Sequence, residues 1–583
     1  MTNKVIAQQF KLLAALLEIH EQDIFKIRSY QKAVRIIEKH PIEFSKMEHA
    51  DIFMIPGVGK AIGNKSVELL EKGHFEVLDK WLADTPPGIV EMTSIKGLGP
   101  KKITAIWHEL GIETLGELLY ACEENRLMLY KGFGEKTQAS IRESILFYLD
   151  HQGQYLYAQV EPIATALDRE IKAGLAGAKV VMVGAFRRQM PVIDRLEWVT
   201  DAGSEAVLAL MQKLDLNPVP DQEPLPSATT ADNRLAGSNT DTSDHFEIIQ
   251  FQTGAGLALQ IIIAAEMQLN NIIFRFNSSA DFYAAFLSAY PALSTRKEAY
   301  QSEEQLFENL SLAYIPPYLR EDTRWIAAAA TGNLPKVIEP RDIKGVIHAH
   351  SRYSDGAATL AEMAMGAKAL GYEYLVISDH SQTAVYAQGL KLPQILEQHE
   401  EIDALNKSLA PFKIFKSIES DILRNGELDY PPSVLDKFDL VIASVHSVLK
   451  MNKQEATERI LKAVTNKYTH ILGHMTGRLL LSRQGYPLDL EPILEACRNN
   501  NVVIELNANP RRLDMDWQNI HLALAKNLLI SIDPDAHSIN GIEDIRYGVL
   551  AAQKAGLTAA QNLSSFSLEE MEAYIDKVKN KTN

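Results

Sequence analysis

Gly345-Val346-Ile347-His348-Ala349-His350-Ser351-Arg352-Tyr353-Ser354-Asp355-Gly356 decides how the chain is read. Val346, Ile347 and Ala349 make a short buried strand, and the two-residue period of a strand turns His348 and His350 to one face, aimed at a common point. Two imidazoles held that way can share one metal ion.

The pattern recurs downstream, each time as a polar residue at the C-terminal end of an apolar run. Tyr374-Leu375-Val376-Ile377-Ser378-Asp379-His380 ends in a histidine, Ser417-Ile418-Glu419-Ser420-Asp421 carries an acid, and Leu440-Val441-Ile442-Ala443-Ser444-Val445-His446 ends in a histidine. Ile471-Leu472-Gly473-His474, Val503-Ile504-Glu505-Leu506-Asn507 and Ile530-Ser531-Ile532-Asp533-Pro534-Asp535-Ala536-His537 continue the series. Helical stretches at 360–370, 394–407, 453–465 and 490–499 separate these strands. Such alternation builds a parallel (β/α) barrel, which gathers the strand C-termini into one mouth. Six histidines and several carboxylates would meet there. One histidine at one strand end is ordinary capping, but the close pair and its repetition over successive strands point to a metal centre.

At 583 residues and 65.0 kDa the chain exceeds what a single core supports, so three or four domains are expected. It contains no run of eighteen apolar residues, and Met1-Thr2-Asn3-Lys4 lacks a signal-peptide layout. A cytoplasmic, nucleoid-associated protein with no membrane partner is expected. Cys122 and Cys497 suit a reducing compartment and cannot build a metal cluster by themselves. The net charge of −16 argues against bulk attraction to nucleic acid, yet residues 1–150 hold 19 Lys+Arg against 21 Asp+Glu, leaving −14 for the remainder. Any DNA contact therefore belongs to the N-terminal part and works through local geometry.

Residues 1–90 read as a helical DNA-binding domain, with Val5, Phe10, Leu13, Leu16 and Leu17 spaced for one helical face. It holds the first of three similar turns, Ile55-Pro56-Gly57-Val58-Gly59-Lys60. Residues 91–150 hold the others, Ile95-Lys96-Gly97-Leu98-Gly99-Pro100-Lys101 and Tyr130-Lys131-Gly132-Phe133-Gly134-Glu135-Lys136. Paired glycines let the backbone bend tightly and approach a ligand, so amides at the next helix start can hold a phosphate while Lys60, Lys101 or Lys136 adds charge. Three copies mark repeated helix-hairpin-helix elements that grip DNA through its backbone.

Residues 151–330 change to an α/β pattern, with strands expected at 179–184, 196–199, 246–251, 257–264 and 272–276. Residues 217–244, rich in Pro, Ser, Thr and Asp, read as a mobile loop. Tyr314-Ile315-Pro316-Pro317-Tyr318-Leu319-Arg320-Glu321 closes this region. Residues 331–341 form a linker into a barrel at 342–583.

The hairpins, the Val183-Gly184-x-x-Arg187-Arg188 stretch, the Ile-Pro-Pro segment and the histidine series together resemble the bacterial family X DNA polymerases that carry a C-terminal PHP phosphoesterase domain. The resemblance spans nearly the whole chain and implies that 151–330 is a nucleotidyltransferase-like palm and thumb. Such a palm works with three Asp on neighbouring strands holding two divalent ions. Here Ala185 follows Gly184 where the family has Ser, Arg195-Leu196-Glu197 occupies the Asp-x-Asp positions, Gln260 the third, and Asn277-Ser278-Ser279 the nucleotide-binding turn. A degenerate palm without polymerase activity is expected.

The PHP positions instead carry over completely. By resemblance His348, His350, Glu419 and Asp535 would hold one ion, Glu419, His446 and His474 a second, and Asp355, His380 and His537 a third. Glu419 would bridge them. The mixed nitrogen and oxygen set suits Mn²⁺ best, with Zn²⁺ or Fe²⁺ as alternatives. These ions would activate water and neutralise the departing 3′-oxygen, with Glu419 and Arg478 as the catalytic side chains and Arg511 or Arg512 also able to grip the phosphate. Met475 stands where the family commonly has Pro. Lys65 matches in spacing the lysine that forms a Schiff base with abasic-site sugar in related polymerases.

The leading expectation is a DNA repair protein with metal-dependent 3′→5′ exonuclease or DNA phosphoesterase activity on gapped or primer-template ends. Other readings remain open at this point. One is a gap-filling polymerase in which Asp194, Glu197 or Asp201 substitutes for the missing acids. Another is a small-molecule phosphoesterase of histidinol-phosphatase type, against which the three hairpins speak. A non-catalytic DNA-binding scaffold is the last.

Overall fold

The computed structural model describes residues 1–582 apart from 124–126, 128–131, 151–152, 217, 220–245, 255, 292, 294–299 and 482–483. Most of the Pro/Ser/Thr-rich stretch at 217–244, together with Tyr130 and Lys131 of the third turn, lies outside the described residues. The chain divides into two compact units, Met1–Gln152 and Gly153–Asn583.

The first unit is helical. Helices α1 (Asn3–Ile19) and α2 (Ile24–Glu38) start where Thr2 and Asp23 accept hydrogen bonds from first-turn amides. Ile6, Phe10, Leu13 and Leu17 form the buried face of α1. Among the described residues of the hairpins, Ile55 and Val58, Ile95 and Leu98, and Phe133 are buried, while the glycines are exposed.

The second unit begins with a four-stranded sheet of β1 (Val180–Val183), β2 (Arg195–Thr200), β3 (Phe246–Gln252) and β4 (Ala258–Ala264), ordered β1-β2-β4-β3, with only β2 and β4 parallel. The expected strand at 272–276 is instead a helix, Leu269–Phe276. Apolar residues at 269, 272, 273 and 276 follow the helical i, i+3, i+4, i+7 spacing once Leu269 is included, and the shorter window hid that period.

The barrel follows, built of β5 (Gly345–Ala349), β6 (Tyr374–Ile377), β7 (Lys413–Asp421), β8 (Leu440–Ser444), β9 (Ile471–Leu472), β10 (Val503–Asn507) and β11 (Ile530–Asp533). These seven strands lie in sequence order and every neighbouring pair is parallel. The gap between β11 and β5 is spanned by two main-chain hydrogen bonds, from His350 N to Ala536 O at 2.8 Å and from Ala536 N to His348 O at 3.2 Å. Tyr374, Leu440, Ile471 and Val503, at strand N-termini, pack with Leu563, Met571 and Ile575 from the C-terminal segment. This apolar plug fills one end of the barrel and leaves the strand C-termini to polar side chains.

The α/β sheet region and the barrel share one unit because a buried polar seam joins them. Arg188 pairs with Glu321 at 2.6 Å, and the amine of Lys554, in the helix Ile545–Ala555, donates to the Arg188 carbonyl at 2.7 Å and lies 3.9 Å from Glu321. Lys554 is fully buried, and burial pushes its amine down to about 8 although Glu321 partly offsets the effect. The expected linker is also fastened: Ile338 sits in the barrel core, and its amide donates to Leu557 O at 2.8 Å.

Candidate metal centre

The barrel mouth is assembled on strained backbone. Pairing between β5 and β6 jumps from Val346–Leu375 to Ala349–Ile377, so β5 carries one extra residue. His348 lies in that bulge with φ +63°, and Asp535 has φ +52°. The regular two-residue period expected for His348 and His350 is thus replaced by a bulge, which still leaves their rings 5.2 Å apart. Non-glycine residues in the left-handed region cluster where function over-determines the conformation.

Glu419 lies at the centre. One of its carboxylate oxygens is 3.0 Å from His446 Nε2, 3.0 Å from His474 Nε2 and 3.3 Å from His348 Nε2. The other is 2.9 Å from His380 Nδ1 and 3.7 Å from His350 Nε2. Asp535 reaches His350 at 3.0 Å and His348 at 3.6 Å, and Asp355 reaches His537 at 3.4 Å and His380 at 3.7 Å. All nine sequence-derived donors therefore meet in one cluster. Three groups have donor atoms close enough to share an ion: His348, His350 and Asp535; His380, Glu419 and His446; and His350, Asp355, His380 and His537. His350 and His380 each serve two groups, a sharing that motif order did not reveal.

The donors fit a bound cation. His348 Nε2, His350 Nδ1 and Glu419 Oε2 are buried and face only other donors of the cluster without a well-directed hydrogen bond, a costly arrangement that coordination would relieve. Two acids missed in the sequence orient the imidazoles: Glu505 accepts from His348 Nδ1 at 2.6 Å, and Asp421 hydrogen-bonds His446 Nδ1. Each bond leaves Nε2 of its histidine facing the cluster, as carboxylate–histidine–metal arrangements require. Their signal was present, since Asp421 lies two residues beyond Glu419 on the same strand face.

Charge sorts these groups. Burial lowers and the neighbouring imidazoles further lower His350, to about 3, so it is neutral and ready to donate. Burial would also lower His446 and His537, yet Glu419 and Asp421 hold the first up at about 10, while Asp355 and Asp535 hold the second at about 9. Despite burial, the histidines around Glu419 keep its carboxyl well below the usual range. His446 and His537 must lose protons to coordinate. Titration with Mn²⁺ near neutral pH should thus release more than one proton per protein, read calorimetrically as heat that scales with buffer ionisation enthalpy. Apparent affinity should climb as pH rises through about 9 and on past about 10, since despite its burial His348 is also held well above the usual imidazole range by Glu505, Glu419 and Asp535. Heat independent of the buffer would contradict this.

The arginines divide. Arg478 donates from Nε to Arg512 O at 3.0 Å and also to Leu513 O and the Asp516 carboxylate, so its guanidinium holds the loop after β10. Arg512 reaches the cluster, 3.7 Å from Asp535, whereas Arg511 is exposed beyond it. Met475 is buried in the barrel core.

In the hairpins Gly57, Gly97 and Gly132 have φ of +90°, +87° and +96°, conformations that favour glycine. Gly59 and Gly99 instead have φ of −74° and −82°, and a Cβ at Gly59, Gly99 or Gly134 would meet open space. Among the described residues nothing requires glycine there, and the absence of a side chain leaves these turns open to close approach from outside. Lys60, Lys101 and Lys136 are exposed at these helix starts. Lys65 lies half-buried with its amine 5.7 Å from the Tyr30 ring, and burial lowers its pKa.

In the four-stranded sheet Arg195 and Glu197 share one face of β2, and Glu197 stands directly opposite Gln260 on β4. Arg195 pairs with Asp194 at 3.0 Å. The groups of described residues able to hold an ion all lie in the barrel. No described helix is long and apolar enough to cross a membrane.

Comparison with known proteins adds three family matches: a helix-hairpin-helix domain over residues 1–75, a SAM-like helix-hairpin-helix tandem over 89–145 and a PHP domain over 347–509. The DNA polymerase/3′-5′ exonuclease PolX of Bacillus subtilis is 30% identical over 99% of this chain and 100% of its own length. A probable phosphatase of Acetivibrio thermocellus is 30% identical over 27% of this chain and 63% of its own length, and one of Vibrio atlanticus 28% identical over 34% and 79%.

Proposed function

Because this chain belongs to the bacterial family X DNA polymerases that carry a C-terminal PHP domain, we propose that it is a metal-dependent 3′→5′ exonuclease working at gaps and primer ends, with a palm that no longer polymerises. Family membership supports an enzyme that acts on nucleic-acid phosphoesters and binds DNA. The observation carrying the finer reading is an asymmetry of donors. The barrel mouth gathers six histidines and three carboxylates, whereas the row that would hold palm ions offers Arg195, Glu197 and Gln260. A guanidinium in a ligand position repels a cation, and an amide is a weak substitute for a carboxylate.

Three divalent ions, Mn²⁺ foremost, would supply activated water and neutralise the leaving oxygen. The protein's own groups do the rest. His348, His350 and Asp535 would hold one ion, Glu419 with His446 and His474 another, and Asp355, His380 and His537 the third, with Glu419 between all three. His537 and Asp355 are 41% and 32% exposed against 0–9% for the other histidines and Glu419, so DNA would enter on their side. Arg512 would grip the scissile phosphate from the rim, with Arg478 fixing the loop that presents it. The hairpin amides, with Lys60, Lys101 and Lys136, would hold the duplex in the cytoplasm's nucleoid without reading its sequence.

The test is a Mn²⁺-supported assay on a 5′-labelled gapped duplex, with and without dNTPs, comparing wild type with a His348→Ala/His350→Ala double variant. A descending ladder that the double variant loses, with no extension by either protein, is expected. Extension past the primer would refute the palm reading, and a ladder that survives in the double variant would refute the barrel reading.

A further inference from the structure

We propose that Arg459, which donates no ligand atom, is the positioning residue that holds the Glu419–Asp421–His446 side of the centre in coordinating geometry. This rests on the metal reading above.

Arg459 lies on the helix Lys453–Val464 and is 4% exposed. Among the described residues its hydrogen-bond partners are four main-chain carbonyls and the Met451 sulphur. Nε donates to Leu423 O at 2.9 Å, one terminal nitrogen to Ser447 O at 2.9 Å, Val448 O at 3.5 Å and Met451 at 3.6 Å, and the other to Ile422 O. Ile422 directly follows Asp421, and Ser447 and Val448 directly follow His446. One guanidinium thus fixes the backbone just past both members of the Asp421–His446 hydrogen bond. That bond aims His446 Nε2 at Glu419. The Ile422 amide completes the arrangement, donating to Ser444 O at 2.7 Å across β7 and β8.

A buried cation whose hydrogen bonds, among the described residues, go to carbonyls and a sulphur and to no carboxylate would be a poor device for stability, because an apolar side chain of the same volume avoids its desolvation. Its use lies in geometry. Val448 has φ +53°, so the loop carrying His446 is held in an unfavourable backbone conformation that some interaction must maintain. Only a planar fork with five donors can reach carbonyls diverging from two loops; an ammonium cannot.

The experiment is an Mn²⁺ titration of the full chain, with free ion read by electron paramagnetic resonance, alongside steady-state cleavage and thermal unfolding. In Arg459→Ala and Arg459→Lys, part of the Mn²⁺ should bind roughly 10–100-fold more weakly, the cost typical of losing a group that orients ligands. kcat should fall with KM for DNA unchanged, and millimolar guanidinium should restore Mn²⁺ affinity to the alanine variant. An isotherm matching wild type in whichever variant folds, whatever its unfolding temperature, would overturn the proposal. Wild-type protein that binds no Mn²⁺ would instead overturn the metal reading beneath it.

Discussion

Replacing Glu419 by glutamine is expected to slow DNA hydrolysis about a thousandfold or more, the factor that corresponds to about 4 kcal/mol of lost charge stabilisation at a metal centre. This carboxylate lies within 3.7 Å of five imidazoles. Glutamine keeps the shape and removes the negative charge against which His348, His380 and His446 are held. It also turns an amide N–H toward nitrogens that would donate to a cation. Hairpin binding of DNA lies elsewhere in the chain and should persist. Single-turnover cleavage with Mn²⁺, paired with fluorescence anisotropy of labelled duplex, checks both parts. A variant that keeps a tenth of the wild-type rate would mean that Glu419 does not bridge.

The second large effect is on stability. Glu321→Ala should destabilise the Gly153–Asn583 unit by about 3–5 kcal/mol, the usual cost of removing one partner from a buried ion pair. The carboxylate serves two buried cations, Arg188 at 2.6 Å and Lys554 at 3.9 Å, and neither can reach water when it is gone. Arg188 cannot shed its charge, but Lys554 can. With a folded pKa of about 8 against an unfolded 10.5, the unfolded chain binds the extra proton, so stability rises with pH across that window. In Glu321→Ala the folded pKa falls further and the rise should begin at lower pH. Urea unfolding of both proteins from neutral to alkaline pH measures this, and a loss below about 1 kcal/mol at neutral pH would show the seam to be solvated.

The barrel was legible because parallel strands buried on both faces read as continuous apolar runs, and because a polar residue at each strand end repeats a signal that one strand alone cannot give. The same logic found the six histidines, and the resemblance to the PHP family supplied Asp355, Glu419 and Asp535, but neither gave their sharing. His350 and His380 belong to two groups each because of the barrel's curvature and the bulge at His348, and neither is written in local spacing. Arg478 looked like a phosphate ligand beside His474, yet a guanidinium takes whatever acceptors surround it, and here these are Asp516 and two carbonyls. The helix at Leu269–Phe276 was misread as a strand because a five-residue apolar window does not distinguish the two periods. The seam of Arg188, Glu321 and Lys554 joins residues hundreds of positions apart, and nothing in a linear reading brings them together.

The closure between His348–His350 and Ala536 has a consequence in time. Ribosomes release a chain from its N-terminus, and each compact unit can fold once it has emerged. Residues 1–152 and their hairpins are complete long before Ala536 and His537 are made, and until then β5 has no partner along its free side. A half-synthesised copy therefore has its hairpins but not the assembled donor cluster of the barrel mouth. The donor cluster is thus the last part of the chain to be completed.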